Sequence, residues 1–215
     1  MKVINSVLDA CKSVVKRTMR PVAAVLNKLS GGKVSPNSIT ALGFAMHIPI
    51  ALLIANGNVL WAALLLVVFG LFDTLDGELA RLQGTSSPTG MLLDSTTDRM
   101  KEIILYIGIA YFLVSHTSTP QNAGHVAVIV TAACGGSVLV SYVNAWGEAI
   151  LGAHSKNKHA MNQTFRGGLM RFEVRMALLV VGLLSGWLLQ VVAAIAVLAW
   201  LTAGERLQNI IRRLK

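Results

Sequence analysis

Charged residues are scarce in this chain of 215 residues, of which 13% are charged and 54% are apolar. With a mean hydropathy of +0.62, this composition excludes an ordinary soluble domain and predicts an integral membrane protein. Cysteine is scarce too, with Cys11 predicted on the cytoplasmic face and Cys134 inside a membrane span. We therefore expect no structural disulfide.

Long apolar segments, in contrast, are abundant. A helix needs roughly 20 apolar residues to cross about 30 Å of hydrocarbon. Windows of that kind lie near residues 38–56, 59–80, 90–115, 124–150, 169–187 and 188–208. The sequence therefore predicts an all-α integral membrane fold with about six transmembrane helices.

Lysine and arginine are absent from three of the predicted loops, at residues 56–58, 116–125 and 185–186. Seven of the 19 basic residues precede residue 34. Because short cytoplasmic loops retain positive charge, we expect a multi-pass protein of the cell membrane, with both termini and the active site on the cytoplasmic side. Attraction of this basic rim to anionic membrane lipids accounts for the net charge of +9, so no nucleic-acid partner is expected.

The segment before the first span interleaves apolar and basic residues at helical spacing. This pattern is typical of an amphipathic helix that lies in the membrane interface. We therefore predict a juxtamembrane amphipathic helix within residues 1–35 and a six-helix transmembrane domain over residues 36–215. At the start of the first span, Asn37 or Ser38 is the predicted N-cap.

Four of the chain's five aspartates lie between residues 73 and 98, in the pattern D-x2-D-G-x2-A-R-x8-G-x3-D-x3-D. Ionised carboxylates beside hydrocarbon are costly unless cations or water compensate them. Asp73 and Asp76 are three residues apart, and Asp94 and Asp98 four, so each pair shares one helix face. The turn signals at residues 82–89 make the two helices antiparallel, so that these faces can meet.

The aspartates have no histidine or cysteine at ligand spacing beside them. A site of oxygen ligands favours Mg²⁺ or Mn²⁺ over zinc. Four carboxylates can hold two such ions roughly 4 Å apart, a separation used to activate a nucleophile and to stabilise a leaving phosphate. The sequence therefore predicts a site for two divalent ions.

Small residues accompany these acids. Gly77 and Ala80 lie one and two turns beyond Asp73, and Gly90 lies on the facing helix. Their size leaves room for a ligand to approach the backbone. Arg81 is placed to reach a phosphate or to stabilise the turn.

Eight positions in this region resemble the signature of the CDP-alcohol phosphotransferase family of integral membrane lipid-synthesis enzymes. They are Asp73, Asp76, Gly77, Ala80, Arg81, Gly90, Asp94 and Asp98. The resemblance implies a transferase in which an acceptor hydroxyl attacks the phosphorus attached to the lipid alcohol of a CDP-alcohol, such as CDP-diacylglycerol, and CMP leaves. The resemblance also implies a homodimer.

The resemblance assigns roles to particular residues. Asp73, Asp76 and Asp94 become metal ligands, while Asp98 becomes a ligand, the general base, or both. Nucleotide binding falls to a set that includes the Pro-Asn pair before the first span. Its members are Asn37, Asp76, Gly77, Ala80, Arg81 and Gly90.

Arginines near the ends of the later spans are candidates for acceptor binding. Arg171, Arg175 and Arg206, with Arg166 as a further candidate, suit a phosphorylated acceptor because guanidinium groups bind phosphate bidentately. Residues 168–175 resemble the branch that makes phosphatidylinositol phosphate from inositol phosphate. That branch carries basic residues near the end of the fourth span, where this chain has Asn144 and Trp146, so inositol phosphate and glycerol phosphate both stay open.

Two other functions fit part of the pattern. A membrane prenyltransferase also uses aspartate-bound Mg²⁺. Such enzymes, however, carry two Asp-rich motifs far apart in sequence, whereas the four aspartates here all lie between residues 73 and 98. A transporter with an intramembrane cation site would also bury acids. It would not explain Gly77, Ala80, Arg81 and Gly90 at fixed offsets.

Overall fold

The computed structural model describes residues 2–154 and 169–214, and regular secondary structure in these residues is α-helical throughout. The helices are α1 (Lys2–Leu29), α2 (Pro36–Ala55), α3 (Val59–Gly70), α4 (Phe72–Gln83), α5 (Pro88–Ser115), α6 (Pro120–His154), α7 (Phe172–Ser185) and α8 (Leu188–Leu214). The described part of the chain contains no β-strand, which confirms the predicted all-α class.

Four helical stretches of the described chain are long and apolar enough to cross a membrane: Pro36–Ala55, Val59–Gln83, Pro120–Ile150 and Leu188–Leu214. They confirm the prediction of an integral membrane protein. The second stretch combines α3 and α4, which Leu71 alone separates. Two other predicted spans coincide with α5 and α7, which fall outside these four. α5 carries five charged residues between positions 94 and 102, and α7 has only 14 residues.

The first span begins at Pro36, and Ser35 is its N-cap. The Ser35 hydroxyl accepts a hydrogen bond from the backbone N–H of Ser38 at 3.1 Å. The prediction that Asn37 or Ser38 caps this helix is therefore wrong. Pro36 occupies the first helical position, where its missing N–H is harmless, and Asn37 consequently falls within the first turn.

Contacts divide the described chain into two compact units, and the division falls between Phe112 and Leu113 in the sequence. In the first unit, α4 is held from two sides, by α1 and by α2. A buried apolar cluster joins these three helices, and its side chains are those of Ala23, Ile39, Leu75 and Leu79. Close packing of these side chains holds α4 in place, and α4 carries the first two aspartates.

Helix α5 approaches α2 at Gly108, where a Cβ atom would lie 2.9 Å from the Cα of Ala51. Real Cβ atoms do not come so close to backbone, so only glycine permits this contact. The contact fixes α5, which carries the other two aspartates, against the first span.

In the second unit, α6 packs along α8, and α7 packs against α8. The indole N–H of Trp200 on α8 donates a hydrogen bond to the carbonyl of Ala132 on α6, at 3.0 Å. A buried apolar cluster in this unit consists of Val140, Met170, Ala199 and Ala203. This packing positions the arginines that the sequence analysis assigns to the acceptor.

Candidate metal and nucleotide site

Three of the four clustered aspartates converge in the first unit. Asp73 lies in the first turn of α4, Asp76 follows one turn later, and Asp94 lies on α5. Each offers one carboxylate oxygen, and the three oxygens lie within 4.8 Å of one another. One cation can therefore contact all three carboxylates.

The chemistry of these carboxylates fits a divalent cation. Asp76 is 5% exposed, and Oδ1 of Asp94 is buried and accepts no hydrogen bond from the described residues. A buried carboxylate oxygen without a donor is costly. Mg²⁺ and Mn²⁺ are bound by oxygen ligands of this kind, so the residues present fit the predicted ions.

The turn between α4 and α5 brings Asp94 back towards the first pair. Helix α4 ends at Gln83, and its C-cap Gly84 has a φ of 67°, a left-handed conformation that glycine adopts without strain. The backbone N–H of Thr85 then donates to the carbonyl of Ala80 at 3.0 Å, as in a Schellman motif. Helix α5 starts at Pro88, four residues after Gly84.

Thr40 on α2 orients one of the three aspartates. Its hydroxyl donates a hydrogen bond to Oδ2 of Asp76, and both side chains are buried. The same hydroxyl oxygen lies 3.2 Å from the carbonyl oxygen of Pro36. The sequence analysis missed Thr40, although its position one turn beyond Asn37 was a usable signal.

Asp98 does not join the convergent group of three. Its Oδ1 lies 3.5 Å from Nζ of Lys101, and its Oδ2 lies 3.4 Å from Nη2 of Arg99. Its role as a metal ligand or general base stays a prediction. Lys101 also forms an ion pair with Asp73 and was missed as a site residue, although it lies three residues beyond Asp98 and seven beyond Asp94 on the same helix.

A cavity of about 540 Å³ opens beside the convergent carboxylates. Asp73 and Asp94 line it. So do all six residues that the sequence analysis assigns to the nucleotide, which are Asn37, Asp76, Gly77, Ala80, Arg81 and Gly90. Their role in binding stays a prediction, but the structure brings all of them to one cavity.

At Gly77 and Gly90 the backbone itself forms part of the cavity wall, because glycine has no side chain to cover it. A Cβ atom on Gly77 would lie 3.3 Å from Nη2 of Arg81, and one on Gly90 would lie 3.7 Å from Oδ1 of Asn37. Arg81 forms an ion pair with Glu78, yet its side chain remains 54% exposed. A cationic group therefore stands at the edge of the cavity, where it can meet an anionic ligand.

The second unit brings the three predicted arginines into one group. The positive charges of Arg171 and Arg175 both act on the guanidinium of Arg206. Arg175 is fully buried, and its Nη1 donates a hydrogen bond to the carbonyl of Met170 at 2.5 Å. The negative charges of Glu148 and Glu205 also act on Arg206, so nearby carboxylates offset part of the positive charge of this group. Arg166 lies outside the described residues.

Neighbouring groups orient two of these arginines. Nη1 of Arg206 lies 3.2 Å from the carbonyl oxygen of Val140 and 3.3 Å from Oδ1 of Asn144. Nε of Arg171 lies 3.7 Å from a carboxylate oxygen of Glu173. Asn144 thus accepts a hydrogen bond from an arginine at the position where the sequence analysis noted the absence of a basic residue.

Comparisons with known proteins place these features in context. A family model described as CDP-alcohol phosphatidyltransferase matches residues 33–204. The chain is 34% identical to a phosphatidylinositol phosphate synthase of Corynebacterium glutamicum over 198 residues, which cover 91% of this chain and 82% of the relative. It is 33% identical to an archaetidylinositol phosphate synthase of Aeropyrum pernix over 159 residues, which cover 72% of each.

Solved structures share the fold. A Mycobacterium tuberculosis phosphatidylinositol phosphate synthase with CDP-DAG bound matches with a TM-score of 0.74 and 24% identity, covering 90% of this chain and 94% of that one. The same enzyme in complex with manganese and citrate matches with a TM-score of 0.74 and 23% identity, covering 90% and 88%. At these identities, the similarity establishes the fold.

Proposed function

Because this chain belongs to the CDP-alcohol phosphatidyltransferase family, we propose that it transfers a phosphatidyl group from CDP-diacylglycerol to a hydroxyl of inositol phosphate and releases CMP. The chain is a membrane transferase of phospholipid synthesis. The observation that carries the proposal is the cavity in which three convergent carboxylates meet the small residues Gly77 and Ala80. Neither a prenyltransferase nor a cation transporter would explain why small residues accompany the convergent carboxylates.

The donor's nucleotide diphosphate would occupy this cavity. Asp73, Asp76, Asp94 and Asp98 would hold two Mg²⁺ or Mn²⁺ ions, as four carboxylates can. When bound, these ions neutralise charge on the diphosphate and on the leaving phosphate. Manganese in the similar Mycobacterium tuberculosis enzyme supports a divalent ion of this class.

The protein's own residues would position the donor. Gly77, Ala80 and Gly90 leave the backbone accessible to the nucleotide, and Arg81 and Asn37 supply donors at the edge of the cavity. Thr40 holds Asp76 in place through its hydrogen bond. Phosphoryl transfer depends mainly on such positioning and on charge neutralisation.

The transfer forms one P–O bond and breaks another. The acceptor hydroxyl oxygen bonds to the phosphorus attached to diacylglycerol, and the bond from that phosphorus to the bridging diphosphate oxygen breaks. CMP leaves with the bridging oxygen. The carboxylate of Asp98 takes the hydroxyl proton as general base, a role that requires hydrogen-bond distance in the substrate complex.

Arg171, Arg175 and Arg206 would bind the phosphate of the acceptor. Of the two acceptors that the sequence left open, inositol phosphate is favoured because relatives over most of the chain's length are named phosphatidylinositol phosphate synthases. The hydrogen bond from Arg206 to Asn144 orients the Arg206 guanidinium. Asn144 stands near the end of the fourth span, where the inositol-phosphate branch otherwise carries a basic residue.

The membrane arrangement belongs to the same proposal. We place six spans by adding α5 and α7 to the four apolar stretches, with both termini and the active site on the cytoplasmic side. Residues 1–35 form an interfacial amphipathic helix, and residues 36–215 form the catalytic domain. The family resemblance adds a homodimer.

An acceptor screen tests the proposed reaction. Purified protein would be given CDP-diacylglycerol, Mg²⁺ and one of four acceptors, inositol 1-phosphate, glycerol 3-phosphate, inositol or serine, and CMP release would be measured. We expect kcat/KM for inositol 1-phosphate to exceed that for glycerol 3-phosphate by at least about tenfold, because unmatched buried polar groups penalise the wrong acceptor. Turnover with serine or free inositol alone would overturn the role given to the arginines.

A valine at Gly77 should block the nucleotide. The added side chain would extend into the cavity and crowd Arg81, so we expect the KM for CDP-diacylglycerol to rise by at least about tenfold through lost binding. Gly135→Val is the matched control, since a Cβ atom there meets nothing within 4 Å. An unchanged donor KM in a folded Gly77→Val protein would refute nucleotide binding at this face.

A further inference from the structure

Lys101 is a fully buried lysine that contacts carboxylates on both helices of the metal site. Its Nζ forms an ion pair with Asp73 of α4 and lies 3.5 Å from Oδ1 of Asp98 on its own helix. A buried ammonium is costly unless it is paired. The two aspartates therefore keep this lysine in place, and it in turn links α4 to α5.

Lys101 contacts the lining of the cavity without belonging to it. Lys101 is not among the described residues that line the cavity. Its ammonium pairs with Asp73, which does line the cavity, so it acts on the site through this carboxylate. Asp98 also has Arg99 within 3.4 Å, so the loss of Lys101 would remove positive charge chiefly from Asp73.

We propose that Lys101 is an internal counter-ion of the aspartate cluster. Its ammonium neutralises Asp73 and Asp98 while no metal is bound, and it weakens the binding of divalent ions because they compete with it for the same carboxylates. Lys101 is thus a positioning residue that sets how much metal the enzyme needs. The inference rests on the proposed metal site and adds a determinant of its affinity.

The test compares Lys101→Met with the wild-type protein in detergent. In EDTA, the melting temperature of the variant should fall by about 10 °C, since breaking a buried ion pair leaves a carboxylate without its cation. In a Mn²⁺ titration followed by electron paramagnetic resonance, the half-saturating concentration should fall by about tenfold, because a competing positive charge is gone. A purely structural role would lower stability without tightening Mn²⁺ binding.

Three further variants complete the design. Lys101→Gln keeps hydrogen-bond donors without the charge, and it should also bind Mn²⁺ more tightly, so it serves if the methionine variant does not fold. Lys101→Arg keeps the charge and should restore an affinity near that of the wild type. Lys28→Met removes an exposed lysine at the end of α1 and should change neither measurement.

The outcomes separate the inference from the metal site on which it rests. If the wild type and the Lys101→Gln protein bind Mn²⁺ equally, or the variant binds it more weakly, Lys101 is not a counter-ion and the metal site stands. If neither protein binds Mn²⁺, the proposed metal site fails and the inference fails with it. Tighter binding by both uncharged variants, reversed in Lys101→Arg, supports the inference.

Discussion

Replacing Asp94 by asparagine is expected to lower CMP release from CDP-diacylglycerol and inositol 1-phosphate by at least about a thousandfold. Asparagine matches the size of aspartate but removes a negative charge from a group of three carboxylate oxygens that lie within 4.8 Å of one another. Oδ1 of Asp94 is buried and accepts no hydrogen bond from the described residues, so a cation is its natural partner. The measurement is CMP release at saturating Mg²⁺.

The fifth aspartate of the chain provides a matched control. Asp9 lies exposed on α1, outside the cluster, and Asp9→Asn makes the same chemical change there. We expect its rate to stay within about twofold of the wild type, as is usual for exposed substitutions away from a site. An Asp94→Asn protein that kept a tenth of the wild-type rate would exclude Asp94 as an essential metal ligand.

The helices and the residues of the cavity could be predicted from sequence because both follow from local spacing. The predicted window at 90–115 corresponds to α5 (Pro88–Ser115), since proline suits the first turn of a helix and a mostly apolar run follows from Ile103 to Val114. Gly77, Ala80 and Gly90 line the same cavity for a similar reason. Residues one turn apart share a helix face, and the glycine at position 84 reverses the chain.

Contacts between distant segments could not be predicted in this way. Lys101 and Asp73 are 28 positions apart, and Thr40 and Asp76 are 36 apart. Whether such side chains meet depends on how the helices pack and on which rotamers the packing allows. The sequence pattern placed four aspartates on two facing helix surfaces. It did not predict that Lys101 would pair with Asp73 and lie 3.5 Å from Oδ1 of Asp98.

The helix cap at residue 35 illustrates a smaller error of the same origin. Serine and asparagine are both good N-caps, and the sequence analysis placed the cap at Asn37 or Ser38, whereas the structure places it at Ser35. The choice follows from Pro36, whose fixed φ suits the first helical position. Asn37 then falls in the first turn, where its side chain lines the cavity.

The last prediction concerns Arg206, whose replacement by glutamine should raise the KM for inositol 1-phosphate by about thirtyfold. Loss of a charge-assisted hydrogen bond to phosphate accounts for a change of this size. The KM for CDP-diacylglycerol should stay within about twofold, since uniform loss of acceptor binding leaves the donor unaffected. Hydrogen bonds to Val140 and Asn144 orient this guanidinium, so Asn144→Ala should raise the acceptor KM in the same direction by a smaller factor. Arg213→Gln, at the exposed end of α8, is the control for loss of positive charge. Equal KM values for inositol 1-phosphate in Arg206→Gln and the wild type would exclude Arg206 from the acceptor site.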